Sequence, residues 1–365
     1  MGYTPPPPDP PPDPDRPRSP YIPGFVMQII EHYPPAPFGE GGHGPSKHPY
    51  IGVEDPRPPQ TRLILAEPPQ ETQWPSEAPP RNAVLTITNI ISVSEARDTQ
   101  LVACQLLIGG QEQPYTVVAK IYDALYYRYY AVNVVELADK HYSREAHSYR
   151  HLEATKALQK PGFAPEYYGS WTFELPLTAQ GKVHTRAVRL ILIEQLSGSS
   201  LLDLFKYTST GPNAFHLDEA FRLEVLANIF VGIVKQLSSG LDQNDLAQRN
   251  VVLVPSPQGG AMMPQSVPRV VLIDYNIAII HEKTKFGHPF KDDSRPRNPM
   301  QFFWYCPPLD LRGWISTEWF YRDRNSYRRW LIERFGGSSA ADFAPIDEKL
   351  EFDDEDDEVR RSDFP

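Results

Sequence analysis

Five polar side chains interrupt or close apolar runs in this chain: Lys120, Glu145, Asp245, Asn250 and Asp274. Lys120 ends the run Val117-Val118-Ala119-Lys120. An ammonium there is desolvated unless it finds partners. A helix carboxylate such as Glu145 and a bound phosphate would supply them. Asp245 and Asn250 flank a tight turn before Val251-Val252-Leu253-Val254, and Asp274 stands just past Val270-Val271-Leu272-Ile273. Hard oxygen ligands of this kind suit Mg²⁺, which takes one or two protein carboxylates and completes its shell with phosphate oxygens and water. The chemistry these residue types point to is the handling of a magnesium-bound phosphate.

Such groups need elements to hold them. Ala83-Val84-Leu85-Thr86-Ile87-Thr88 alternates and is β-branched, as a strand should be. Leu101 to Ile108, closed by Gly109-Gly110, and Tyr115 to Ile121 read as two more strands, and short polar turns between the three predict an antiparallel meander. The spacing predicts a helix over Ser143 to Leu158, which would carry Glu145, and a further strand at Leu190 to Glu194. The clearest helix is Asp218 to Leu237. There Leu226, Ile229, Phe230, Ile233, Val234 and Leu237 recur at three and four, and Ser238-Ser239-Gly240 supplies a stop.

Composition sets the frame. Apolar residues are 40% and charged residues 22% of 365, which suits a globular chain with a substantial core. Of 40 prolines, 24 fall in the first 80 residues, so residues 1–80 read as a proline-rich arm unable to build a packed ladder. Two apolar islands within it, Phe25 to Ile30 and Leu63 to Leu65, are suited to docking on a folded neighbour. The net charge of −10 is local: residues 347–363 hold ten acidic and three basic side chains, or −7. The body is near neutral, and nucleic acid is not an expected partner. Two cysteines, Cys104 and Cys306, provide neither a disulfide framework nor metal-ligand spacing. No signal peptide and no membrane span are expected, which leaves the cytoplasm or the nucleus.

Taken in order, the polar residues resemble the protein-kinase superfamily over about residues 83–285, and on to about 335. Ala119-Lys120-Ile121-Tyr122-Asp123, Asn298-Pro299-Met300 to Arg312-Gly313-Trp314, and Arg334-Phe335-Gly336-Gly337 are similar to a fungal set of divergent kinase-like proteins. The resemblance implies an α+β, bilobal protein-kinase-like fold with a short, atypical C-lobe and disordered termini. Its divisions would be the arm over 1–80, an N-lobe over 81–196, a C-lobe over 197–337 and an acidic tail over 338–365. It further implies ATP and Mg²⁺ as cofactors. Lys120 would bind phosphate, Glu145 would hold Lys120, and Ile193-Glu194-Gln195-Leu196 would meet adenine, with Glu194 and Leu196 as binding positions. Asp245 would be the catalytic residue that positions an acceptor hydroxyl, and Asn250 and Asp274 would bind the metal.

The chain also departs from that pattern. Gln243-Asn244 precede Asp245 where the family has His and Arg, which removes a support of the loop and a docking point for a phosphorylated segment. Asn276 stands for the glycine after Asp274-Tyr275, as the non-glycine residue that best tolerates unusual φ. Ile91 to Thr99 lacks glycine, and Glu95 and Asp98 bring like charge toward any phosphate there, with Arg97 opposing them. No Ala-Pro-Glu follows Asp274. The expected function is an ATP- and Mg²⁺-dependent phosphotransferase acting on an unknown protein or small-molecule acceptor. The alternative is a pseudokinase that acts as a binding or scaffolding module, with a partner for its proline-rich arm.

Other constellations have simpler explanations. Arg312 to Arg334 interleaves six arginines with aromatics, which a helix from Ser316 or Thr317 to Gly336-Gly337 explains by packing the rings inward and solvating the arginines. The ten histidines form no ligand cluster, and Ser238-Ser239 has no neighbouring histidine to support hydrolase chemistry.

Overall fold

Burial alternates strictly along Val26-Met27-Gln28-Ile29-Ile30, the first strand. Met27 and Ile29 are buried while Val26 and Ile30 are exposed. The computed structural model describes residues 11–45, 58–94, 97–109, 114–128, 133–155, 162–209, 211–255, 267–289 and 295–352. They divide into two units: residues 1–150, 166–195 and 283–285 in the first, and residues 151–165, 196–282 and 286–365 in the second.

In the first unit, β1 (Val26–Glu31), helix α1 (Gln60–Ala66), β2 (Asn82–Ser92), β3 (Gln100–Ile108), β4 (Tyr115–Tyr122), helix α2 (Val134–Ala154), β5 (Tyr167–Ala179) and β6 (Lys182–Ile193) follow in order. The six strands form a closed antiparallel barrel in the order β1-β2-β3-β4-β6-β5. Closure is made by β1 against β5, through Ile30↔Thr172 and Glu31↔Trp171. This corrects the fold read from sequence. The bilobal kinase-like α+β arrangement is not what the chain forms: it has a closed six-stranded barrel, small sheets and few helices. Closing the sheet satisfies both edge strands through their backbone groups.

The proline-rich stretch is corrected with it, for its two apolar islands fold into this unit. The first supplies β1. The second is α1, whose Leu63 and Ile64 are buried and whose Gln60 side chain donates to the carbonyls of Ala124 and Tyr127. Residues 1–10 and 46–57 lie outside the described residues. Helix α2 begins nine residues before the expected Ser143, because Asn133 caps it: its Oδ1 accepts from the Val135 amide at 2.9 Å.

In the second unit, β7 (Ser199–Ser200), β8 (Lys206–Thr208), β9 (Gly211–Asn213), helix α3 (Glu219–Ser238), β10 (Leu241–Asp242), β11 (Val251–Val254), β12 (Arg269–Leu272) and β13 (Ile279–Ile280) precede helices α4 (Pro299–Phe303), α5 (Thr317–Tyr321) and α6 (Arg324–Phe335). Helix α3 matches its expected span, capped by Asp218, which accepts from the Phe221 amide. The antiparallel pair β11 and β12, with β7 beside β11, places Val251 opposite Leu272. Gly198 enters β7 so close to β11 that a Cβ would lie 2.2 Å from the Leu253 carbonyl oxygen.

The single helix expected from Ser316 to Gly336 is two. Asp323 breaks it by capping α6, accepting from the Ser326 amide. Phe320, Tyr327 and Phe335 are buried and Arg322 and Arg329 exposed, as expected, but Arg328 is itself buried over the Trp304 ring. Part of the acidic tail is packed: Phe343 is buried against Phe335, and Trp304 donates to the Glu351 carbonyl. Its acidic run from Asp353 onward lies outside the described residues.

Candidate functional site

Side chains two apart on a strand share a face, and on β4 that rule brings Lys120 and Tyr122 together. Both meet Glu145 of α2. Lys120 Nζ lies 2.6 Å from Glu145 Oε2, and the Tyr122 hydroxyl donates to the same oxygen at 2.7 Å. The lysine side chain is 5% exposed and the glutamate 0%. Two donors on one carboxylate oxygen fix its position, and the pairing offsets the desolvation of the ammonium. The lysine and its helix carboxylate were expected together; Tyr122 was missed, although its place two residues beyond Lys120 was the available signal.

The buried network extends around α2. His32 Nδ1 lies 2.7 Å from the Tyr142 hydroxyl, and His147 Nε2 lies 3.3 Å from the Pro34 carbonyl oxygen. Burial, reinforced by the positive Arg189, lowers the His32 pKa to about 3, and burial lowers that of His147 to about 4. Both imidazoles are neutral near pH 7. Burial also pushes the Cys104 thiol up to about 12, which removes it as a nucleophile.

The other three residues lie in the second unit. The Asp245 carboxylate accepts at one oxygen from Arg249 at 2.7 Å and from Asn250 Nδ2 at 2.8 Å, and Nδ2 also donates to the Asp245 carbonyl at 3.0 Å. With Nδ2 spent on Asp245, Oδ1 is the atom of Asn250 left for a cation. The Ile273 amide donates to the Asn250 carbonyl at 2.9 Å, which continues the β11–β12 ladder and sets Asn250 and Asp274 at the same end of it. Asn250 and Asp274 are thereby neighbours along the backbone, and an amide oxygen and a carboxylate are the hard ligand types that Mg²⁺ takes. Among the described residues, no three or more His, Cys, Asp or Glu side chains cluster as metal ligands.

Two departures noted in the sequence acquire a different meaning. Gln243 donates from Nε2 to the Ile273 carbonyl at 2.7 Å and to that of Asp274 at 3.4 Å. The segment before Asp245 is thus tied by an amide to the end of β12. Asn276, noted for its tolerance of unusual φ, does not use it; Asp274 has φ 65° and Asn244 φ 60°. Both are residue types that tolerate it. From α3, Gln236 donates to the Tyr275 hydroxyl, which donates to the Leu272 carbonyl, so the strand end carrying Asp274 is tied on a second side.

The remaining expected positions serve the backbone. Glu194 exchanges bonds with Glu166: its amide donates to the Glu166 carbonyl at 2.8 Å, and its carboxylate accepts from the Glu166 amide at 3.1 Å. Leu196 is half-buried and opens the 196–282 segment of the second unit. In the glycine-free segment after β2, the Ser94 amide donates to the buried Gln100 side chain at 2.9 Å, so this amide has a partner within the chain. Glu95 and Ala96 lie outside the described residues.

Lys120 and Glu145 thus meet in one unit, and Asp245, Asn250 and Asp274 gather in the other. No protein-family model matches the chain, and no curated protein matches it in sequence. Among the described residues, no helix is long and apolar enough to cross a membrane.

Proposed function

We propose that the chain is an ATP- and Mg²⁺-dependent phosphotransferase, a reading that rests on side chains and not on fold. The observation that carries it is the buried Lys120–Glu145 pair. An apolar pair of similar volume would serve stability as well or better, so the pair is in keeping with a lysine that serves a ligand as well as the fold. Lys120 orients phosphate oxygens, and Glu145 holds Lys120. Asn250 Oδ1 and the Asp274 carboxylate are the metal ligands, and Asp245 positions the acceptor hydroxyl. Bound Mg²⁺ supplies charge neutralisation at the phosphate oxygens. The acceptor is a protein or a small molecule. We propose a cytoplasmic or nuclear location, which the two free thiols, Cys104 and Cys306, support.

A second reading, nucleotide or partner binding without transfer, is favoured by two observations. One Asp245 oxygen is already engaged by Arg249 and Asn250, and the Ser94 amide is taken by Gln100. Thermal unfolding with ATP, with and without Mg²⁺, tests the first reading. At a hundredfold excess over the dissociation constant, binding stabilises by about 2.7 kcal/mol. Native chain should show a magnesium-dependent rise in midpoint that Asp274→Asn lacks. Absence of any such rise at saturating nucleotide overturns the proposal. Label transfer from γ-labelled ATP that Asp245→Asn abolishes then separates transfer from binding.

A further inference from the structure

Helix α2 carries a second stripe beside the one that holds Lys120. Tyr142, Glu145 and Tyr149 recur at three and four, with Glu145 on Lys120 and Tyr149 stacked on Tyr167. Lys140, Arg144 and His147 recur at four and three, and all three meet residues 34–40. Arg144 is 2% exposed and donates from Nε to the Phe38 carbonyl at 3.0 Å and from Nη2 to the Glu40 carbonyl. The Glu40 carboxylate lies 3.7 Å from Arg144 and accepts from Lys140 Nζ at 3.2 Å on each oxygen. Arg150 sits over the Tyr33 ring, 4.7 Å from its centre.

This segment fits α2 closely. Gly39 has φ 90°, and a Cβ there would lie 2.7 Å from Lys140 Cδ and 3.4 Å from Arg144 Nη2. The segment is closed on itself as well, since the Gly39 amide donates to the Gly44 carbonyl at 2.8 Å and the Lys285 amide donates to Gly42. A guanidinium buried on two backbone carbonyls demands a fixed backbone, because a displaced carbonyl leaves a buried donor without an acceptor. Arg144 and Glu145 are consecutive on one rigid helix, so a shift that frees the first displaces the second. A displacement of about an ångström would stretch the 2.6 Å contact of Lys120 with Glu145 beyond hydrogen-bonding length and weaken the pair.

We propose that residues 33–44 form a built-in clamp that seats Glu145 on Lys120, and that Arg144 is its positioning residue. The proposal rests on the reading of Lys120 as a phosphate-binding lysine for its consequence, reduced nucleotide affinity on release, but not for the positioning itself. The test uses the full chain and two readouts. The first is the acylation rate of Lys120 by an amine-reactive ester, mapped by peptide mass. The second is the midpoint shift given by MgATP.

Arg144→Met should raise Lys120 acylation about tenfold by easing local opening of α2, with the circular dichroism spectrum retained. Glu40→Gln, at an exposed carboxylate that keeps its backbone carbonyl, should raise it about threefold and decides the matter if Arg144→Met does not fold. The MgATP shift should shrink in the same order. Unchanged Lys120 acylation in both variants, with faster hydrogen exchange over residues 38–44, overturns the clamp. If native chain shows no MgATP shift, the phosphotransferase reading fails while the acylation rates still decide the clamp.

Discussion

Two ion pairs of nearly equal length sit in opposite settings. Lys120 and Glu145 are 2.6 Å apart with side chains 5% and 0% exposed; Arg249 and Asp245 are 2.7 Å apart with side chains 58% and 23% exposed. Distance alone would rank them together. Burial separates them, because the charges of the first have no water to fall back on and those of the second do. Lys120 is therefore held in one place, with Tyr122 and the clamped helix behind its partner. Asp245 can exchange Arg249 for another donor at little expense, which is what the proposed function requires of it.

The largest effect should come from breaking the buried pair. Glu145→Ala leaves an ammonium and a tyrosine hydroxyl buried without their acceptor, and such losses cost roughly 3–5 kcal/mol. Urea unfolding should show that loss as a lower midpoint with unchanged slope. Lys120→Met combined with Glu145→Leu should recover most of it, since no uncompensated charge remains. A Glu145→Ala penalty under about 1 kcal/mol would place the pair in the exposed class and remove the contrast.

Acid should act on the same side of the comparison. His32, at about 3, and His147, at about 4, both lie well below the usual 6.5 and both touch the α2 contacts. The unfolded chain takes up these protons first. Their stabilisation is thus complete above pH 6.5 and is lost as pH falls toward 4 and then 3. Within that window each contributes a slope of up to about 1.4 kcal/mol per pH unit. From pH 7 to pH 5, hydrogen exchange of α2 amides should slow less than the intrinsic rate does, and His147→Gln should remove part of the difference. An α2 exchange profile that follows the intrinsic rate alone would show that these imidazoles are not buried neutral.

What could be read in the sequence was what local pattern encodes. Helix α3 and strands β2, β3, β4, β11 and β12 follow from periodicity within a dozen residues, and each lies where expected to within a few residues. Barrel closure was hidden because it depends on partners far apart in sequence: Val26 to Ile30 pairs with Asn82 to Thr86, and Ile30 with Thr172. Proline content averaged over eighty residues also masked the six-residue strand Val26–Glu31, whose residue types do not alternate. Lys120 and Glu145 could be paired because a lysine ending an apolar run needs an acceptor. Gln243 could not be read as a support, since whether its amide reaches the Ile273 carbonyl depends on how β10 and β12 end in space. Residue type marked Asn276 as tolerant of unusual φ, but the left-handed residue near it is Asp274, which residue type alone did not single out.

The smallest effect is expected at the exposed pair, and it discriminates most sharply. Arg249→Ala should change stability by less than about 1 kcal/mol, because water and salt replace the guanidinium and Asn250 still donates to the same carboxylate oxygen. Urea midpoints at low and high salt measure this: a small loss at low salt should vanish at high salt. On the proposed function, label transfer should persist in Arg249→Ala while Asp245→Asn abolishes it, since the pair restrains the carboxylate and the carboxylate does the work. A penalty as large as that of Glu145→Ala would mean that exposure does not separate the two pairs. Asp245 would then be an anchor for its loop, and its place at the head of β11 would need no acceptor to explain it.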